Sequence, residues 1–457
     1  MVMNMDAFFK ASSIAVIGAS RDSTKVGNVI LRNLIDGKFK GRIYPVNPNA
    51  EEIQGMKCYP SADAIAERVE MAVIAVPTPF VIPVLGQCAK KGIRHVVIIS
   101  AGFREAGNAN GEEKLKTALK KYGIRAIGPN CLGTFNSHSE MDTLFLPRYR
   151  LKRPETGNIS FICQSGAVGA AILDMATAQG YGFAKFASYG NAVDVDESDL
   201  LEYFGDDAET KVICMYVEGI RDGRKFLEVA KRVSKKKPVI VLKGGVTEQG
   251  SRAIASHTGS LAGAAEVYFG AFKQANVIRA DSLYDMFNYA RILEASVPAK
   301  GGRVQIITNG GGYGVLASDS VAKFGLEMAE MTSGTVKALK AKFSPAMNIG
   351  NPLDLLGDAT TERYKIALEA AINDGNVDAI VLVVLYQTPR ITTDVIDVIT
   401  EINARKKKPM VVVSTGGEFT ELLRRNLEMA GIATFEYPEE AVKSLGALVG
   451  YYGNKKK

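Results

Sequence analysis

Short apolar runs separated by amphipathic stretches recur along the whole chain. In the first part, Ile14 to Ile17, Ile43 to Val46, Met71 to Val76, His95 to Ser100 and Ile124 to Ile127 read as strands, with helical stretches between them. A second series reads Asn158 to Cys163, Phe183 to Ser188, Val212 to Val217 and Pro238 to Leu242, with the apolar helix Ala170 to Ala178 after its first strand. A third reads Val304 to Thr308, Ala379 to Leu385 and Pro409 to Val413. This alternation predicts doubly wound parallel sheets. The stretch from Asn136 to Pro154 lacks periodicity and holds Pro147 and Pro154, and Ser296 to Gly302 forms a Pro- and Gly-containing joint. The expected organisation is therefore α/β, with a Rossmann-like domain over 1–135 followed by two flavodoxin-like domains over 136–297 and 298–457. Gly311 and Gly314 follow the first strand of the third unit as Gly166 and Gly169 follow that of the second, which suggests an internal repeat. Asn351 to Leu355 reads as a turn between helical stretches.

Each strand of the first unit runs into a turn: Gly18-Ala19-Ser20, Asn47-Pro48-Asn49, Pro77-Thr78-Pro79, Ala101-Gly102 and Gly128-Pro129-Asn130. In an open parallel sheet the ligand lies beyond the carboxyl ends of the strands, so Gly18, Ser20, Lys25, Asn47, Pro77, Ser100 and Asn130 are expected around one site. The glycine after Gly18 is Gly27, which breaks the G-x-G-x-x-G spacing, and Asn47 stands where an NAD site usually carries Asp or Glu. Both departures argue against an NAD-dependent oxidoreductase. A polar loop holding Ser20 and Lys25 ahead of a helix start better suits the phosphates of coenzyme A. His95 opens a strand, far from that edge, and reads as structural.

In the second unit, Gln164-Ser165-Gly166 joins a strand to a helix start, where backbone N–H groups and the helix dipole favour phosphate. Glu218 closes the strand Val212 to Val217, placed either to orient an imidazole or to cap the next helix. Beyond Lys243-Gly244-Gly245 a stretch rich in Gly, Ser and Thr runs to Gly263 and reads as a mobile loop. It carries His257, within Ser256-His257-Thr258-Gly259-Ser260. Neutral imidazole, with an ordinary pKa of about 6.5, can attack phosphorus. A loop histidine bonded to its neighbours is the alternative. His138 falls in the irregular connector and is expected to be exposed.

The chain has 457 residues, enough for about three domains with cores of their own. Hydrophobic residues make up 47% and charged residues 23%, a globular balance, and no apolar run approaches the length of about 20 that crosses a bilayer. No N-terminal signal pattern precedes the first strand, so a cytoplasmic, non-membrane protein is expected. The five cysteines show no C-x-x-C pairing, which excludes a zinc site of that type, and no metal ligands are predicted. The net charge of +7 is scattered, with lysine clusters before strands or at the end of the sequence, so an anionic small ligand is favoured over nucleic acid.

A phosphate-suited first domain, Gln164-Ser165-Gly166, Glu218 and the Ser256 to Ser260 stretch, in that order, resemble the α subunit of the NDP-forming acyl-CoA synthetases, relatives of succinyl-CoA synthetase. The third unit makes the chain similar to the longer α subunit of the archaeal ADP-forming acetyl-CoA synthetases. The resemblance implies the reaction acyl-CoA + ADP + phosphate ⇌ acid + ATP + CoA, by way of an acyl phosphate and a phosphohistidine. It implies that His257 is the phosphorylated nucleophile, Glu218 its orienting carboxylate, Gln164, Ser165 and Gly166 the phosphate turn, and the first domain the CoA site. No G-x-x-x-x-G-K-[ST] loop or ATP-grasp segment is present, so it further implies a separate ATP-grasp β subunit that binds ADP and Mg²⁺ in an α2β2-like assembly. A CoA-binding scaffold without catalysis is the competing expectation.

Overall fold

The computed structural model describes residues 5–258 and 264–455, with the backbone alone for 255–258. Residues 1–283 and 284–457 form two compact units.

The first unit holds two large sheets. In one, β1 (Ser13–Ile17), β2 (Arg42–Val46), β3 (Met71–Ile74), β4 (His95–Ile98) and β5 (Arg125–Ile127) lie in the order β2-β1-β3-β4-β5, all parallel. Side chains alternate along each strand and both faces are covered. Ile14, Val16, Met71 and Val73 enter a core shared with the second sheet, whereas Ala15, Ile17, Ala72 and Ile74 pack on the opposite side with Leu85 and Leu119. α1 (Val26–Asp36) leaves the carboxyl end of β1. A Cβ on Gly27 would lie 1.9 Å from the Gly18 carbonyl, so only glycine lets this helix start so close to the turn. His95 opens β4, edge-on to the Phe8 ring with centroids 5.3 Å apart.

The second sheet comprises β6 (Gly133–Asn136), β7 (Met141–Asp142), β8 (Thr156–Cys163), β9 (Phe183–Ser188), β10 (Val212–Val217), β11 (Val239–Lys243) and β12 (Ile278–Ala280), in the order β12-β11-β10-β8-β9-β6-β7. β6 pairs antiparallel with β9 and with β7, and β7 comes from the stretch Asn136 to Pro154 that reads as irregular in the sequence. β7 is the short edge strand, with β6 between it and β9, and Asp142 is fully buried against Arg148 and Arg153. Charge pairing rather than apolar periodicity marks this segment. His138 is exposed there, its Nε2 3.1 Å from the Gly157 carbonyl oxygen. On β9, next to β6, the buried Lys185 ammonium pairs with Asp207 at 2.7 Å and also with Glu209.

α2 (Gly166–Ala178) starts four residues ahead of the expected Ala170, because Ser165 caps it by accepting the Val168 N–H at 3.3 Å. A larger correction concerns the stretch after Gly245, expected as a loop: α3 spans Glu248–Thr258. The helix is started by Thr247, whose hydroxyl accepts the Gly250 N–H at 3.1 Å, and by Ser251, which donates to the Gly245 carbonyl at 2.9 Å. Glu248 and Arg252 pair one turn apart, and Ile254 is buried. These local bonds outweigh the composition bias that reads as loop.

In the unit 284–457, β13 (Arg303–Thr308), β14 (Glu327–Met328), β15 (Leu353–Asp354), β16 (Ala379–Val383), β17 (Met410–Val413) and β18 (Ala433–Phe435) build a parallel sheet in the order β14-β13-β16-β17-β18, with β15 also paired to β13, and α4 (Gly311–Lys323) follows β13. Asn351 to Leu355 is therefore not a plain turn. Leu353 and Asp354 pair with Ile307 and Thr308, and the Asn351 carboxamide bridges Val304 and Ala329 by donating to their carbonyls at 2.7 and 3.0 Å.

Candidate functional site

Within the first unit, a cavity of about 660 Å³ opens where the carboxyl ends of β3, β4 and β5 face those of β8 and β10. β8 is the strand on either side of which the order of the second sheet reverses, so the turn after it sits at the switch point where α/β sheets bind ligands. Six of the expected site residues line this cavity: Ser100, Asn130, Gln164, Ser165, Gly166 and Glu218. Backbone bonds hold its two sides in register. Asn191, Val193 and Val195 donate to the carbonyls of Pro129, Gly128 and Ala126 at 3.0, 3.1 and 3.1 Å. Gly190 takes φ +54° against Asn130, where a Cβ would lie 2.2 Å from the Asn130 oxygen.

The phosphate turn is braced by one side chain. Gln164 Oε1 accepts the backbone N–H of Glu218 at 2.7 Å and of Gly219 at 3.1 Å, and the hydroxyl of buried Tyr189 at 3.2 Å. With the oxygen so committed, the amide nitrogen is the group left to donate to a ligand. Ser165 is the N-cap of α2, and the Gly166 and Ala167 amides in its first turn have no carbonyl within the helix to bind. Both residues lie on the cavity wall, so the helix offers two N–H donors and the positive end of its dipole to an anion.

Glu218 is buried, with 7% of its surface exposed, and accepts a hydrogen bond from Tyr216 at 3.4 Å. Burial, with this carboxylate as neighbour, pushes the Tyr216 hydroxyl pKa up. Lys243 sends its ammonium to the Glu218 carbonyl oxygen at 2.8 Å, and burial lowers its pKa against the pull of the Glu218 charge. A carboxylate held this way is suited to accept an imidazole N–H.

Asn191 also lines the cavity and was not among the expected residues. Its Nδ2 donates to Glu105 at 2.6 Å and Glu112 at 2.9 Å, and its Oδ1 lies 3.3 Å from Asn130 Nδ2. Burial works against ionisation of Glu105, but the donors from Asn191 and the Gly102 and Phe103 amides outweigh it and hold the pKa low. Arg104 pairs with Glu112 at 2.9 Å. The rule that drew attention to the other strand-end turns applies equally to Tyr189-Gly190-Asn191, which follows β9. The apolar wall of Phe145 and Leu146 lies in the connector and carries no such signal.

The remaining expected residues sit at the same edge of the first sheet but outside this cavity. Gly18 holds φ +91° at the end of β1. Ser20 accepts the Asp22 N–H at 3.1 Å, exposed Lys25 precedes α1, and exposed Pro77 precedes the turn Thr78–Phe80. Asn47 donates to the Ala19 carbonyl at 2.7 Å and ties β2 to β1. His257 lies on the backbone of α3, which rests against the turn Arg104–Ala106; its side chain and residues 259–263 lie outside the described residues. Among the described residues no helix is long and apolar enough to cross a membrane.

Three family models match in sequence: a CoA binding domain over residues 12–137, a succinyl-CoA ligase like flavodoxin domain over 156–293 and a ligase-CoA domain over 304–453. The alpha subunit of acetate–CoA ligase [ADP-forming] II from Pyrococcus furiosus is 42% identical over 453 residues, covering 97% of each chain. The acetate–CoA ligase [ADP-forming] of Methanocaldococcus jannaschii is also 42% identical, over 96% of this chain but only 62% of its own length. Among solved structures, the dinucleotide forming acetyl-coenzyme A synthetase 1 of Ca. Korarchaeum cryptofilum, in complex with phosphate and ADP, superposes with a TM-score of 0.94 at 37% identity over 100% of this chain and 98% of that one. At this identity over nearly its full length, the chain belongs to the family of ADP-forming acetate–CoA ligases, matching the part of them that forms the alpha subunit.

Proposed function

We propose that this chain is the phosphohistidine-bearing α subunit of an ADP-forming acyl-CoA synthetase, acting in the cytoplasm with an ATP-grasp β subunit that holds ADP and Mg²⁺, in an α2β2-like assembly. The observation that carries this reading is the cavity at which Ser100 and Asn130 from one sheet meet Gln164, Ser165, Gly166 and Glu218 from the other. Residues 1–135 would serve CoA, with Gly18, Ser20, Lys25, Asn47 and Pro77 toward its nucleotide end and Ser100 at the cavity. Residues 136–297 would serve the phosphoryl group, and 298–457 would complete the subunit.

In the reaction, a phosphate oxygen attacks the thioester carbonyl, the C–S bond breaks and CoA leaves as the thiol. An imidazole nitrogen of His257 then attacks phosphorus of the acyl phosphate, and the P–O bond to the acyl group breaks to release the acid. The terminal oxygen of ADP takes the phosphoryl group from His257, giving ATP. The residues of this chain contribute position and charge. The Gly166 and Ala167 amides face the phosphate oxygens, the Gln164 amide nitrogen donates beside them, and Glu218 accepts the N–H of the attacking imidazole and steadies the cation that forms.

The test is reconstitution with a candidate β subunit. ATP formation from acetyl-CoA, ADP and phosphate should be lost in His257→Ala and reduced by about 10²-fold in Glu218→Gln. Undiminished turnover by His257→Ala would sink the proposal.

A further inference from the structure

The polar edge of the cavity faces an apolar wall whose position is fixed with unusual care. Phe145 and Leu146 belong to the connector after β7, a segment of irregular backbone, yet this backbone is tied from three sides. The Phe145 N–H donates to the Leu132 carbonyl at 3.3 Å. Buried Asn33, on α1, donates to the carbonyls of Leu144 and Leu146 at 2.6 and 2.9 Å. Arg153 donates to the Leu146 carbonyl at 2.6 Å while its guanidinium pairs with fully buried Asp142 at 2.9 Å, and Arg148 reaches the same carboxylate at 3.0 Å. Two cations on one buried carboxylate give an otherwise irregular segment a single geometry.

That geometry places the wall beside the phosphate turn. A methyl group on Gly166 would lie 3.8 Å from Leu132 Cβ, and Phe145 is bonded through its backbone to Leu132. Ala170, one turn along α2 from Gly166, completes the surface with a side chain no larger than methyl. If phosphate sits at Gly166, the carbonyl it attacks lies within bonding reach of the same turn, and Leu132, Phe145 and Ala170 are the apolar lining beside that turn onto which the acyl chain can extend.

Resting on the acyl-CoA synthetase reading above, we propose that Phe145 is the specificity-determining residue for the size of the acyl group, with Leu132 and Ala170 as the other faces of its pocket. The Asp142–Arg153 pair is the positioning element that holds it. Small changes in an apolar pocket shift selection between substrates by about 10- to 200-fold per methylene, so the wall is a sensitive lever.

The experiment uses the full chain reconstituted with a β subunit, and compares kcat/KM for phenylacetate and for acetate. Phe145→Ala is expected to raise the phenylacetate-to-acetate ratio by about ten-fold or more, and Ala170→Leu, which fills the pocket without removing a packed ring, to lower it by a similar factor. Phe145→Leu should fall between wild type and Phe145→Ala. Asp142→Asn should blur the ratio toward that of Phe145→Ala while leaving the residue itself in place. A ratio that moves less than two-fold in both Phe145→Leu and Ala170→Leu overturns the proposal. So does an equal change in the KM for CoA with every acid, which would assign the wall to the pantetheine arm. Absence of histidine phosphorylation in the wild type with every acyl-CoA would instead bring down the proposed function itself.

Discussion

Gln164 Oε1 lies 2.7 Å from the backbone nitrogen of Glu218, so the turn that would hold phosphate and the carboxylate that would orient the histidine are joined by one hydrogen bond. The same oxygen receives the Gly219 amide and the Tyr189 hydroxyl. Gln164→Leu removes the acceptor and leaves three donors without it, so the turn and Glu218 are free to shift relative to each other. A displacement on the order of 1 Å costs about 10²-fold in rate. The expected outcome is a fall in kcat of that size with little change in the KM for CoA, measured by steady-state ATP formation. A loss confined to KM would contradict the brace.

Asn191 separates two carboxylates. Asn191→Asp replaces a donor to Glu105 and Glu112 with a third negative group beside the cavity. Its effect should depend on pH: a pronounced loss of kcat/KM at pH 8 that eases toward pH 6, as one of the crowded carboxyls takes up a proton. A loss of equal size across that range would show that shape rather than charge is what Asn191 supplies.

Glu197 opens the helix Glu197–Asp206 and is buried there. Burial, with the Asp196 charge next to it, raises its pKa to about 7, against the pull of backbone N–H donors from Glu197 and Arg221. A carboxyl whose folded pKa is raised contributes stability that is fully present below its ordinary value of 4.5 and is lost as pH rises through about 7. Thermal unfolding should therefore show Tm falling between pH 5 and pH 8, and the fall should be smaller in Glu197→Gln, which stays neutral. An identical fall in the two proteins would refute this assignment.

Much of the fold is legible from periodicity alone. The strands Phe183–Ser188 and Val212–Val217 occupy the positions that their apolar runs indicate, because buried parallel strands need continuous β-branched and aromatic residues. The strand-end rule likewise points to Ser100, Asn130, Gln164 and Glu218, since topology brings such ends together at one cavity. Residues held by tertiary partners are not legible in this way. Met141–Asp142 forms a strand at the sheet edge while Asp142 is buried by two arginines distant in pattern. The helix Glu248–Thr258 depends on local bonds made by Thr247 and Ser251 that its Gly, Ser and Thr content disguises as loop. Phe145 faces the cavity only because the bonds of Asn33 and Arg153 turn the connector toward it.

The phosphorylation of His257 is the step on which everything else depends. It is measured most directly by intact mass after incubating the purified chain with acetyl-CoA and phosphate, alone and with a β subunit, ATP and Mg²⁺, with His257→Asn in parallel. One acid-labile phosphate is expected on the wild-type chain and none on the variant. Turnover of acyl-CoA to ATP in the reconstituted enzyme without any such adduct, or an equal adduct on His257→Asn, would contradict it.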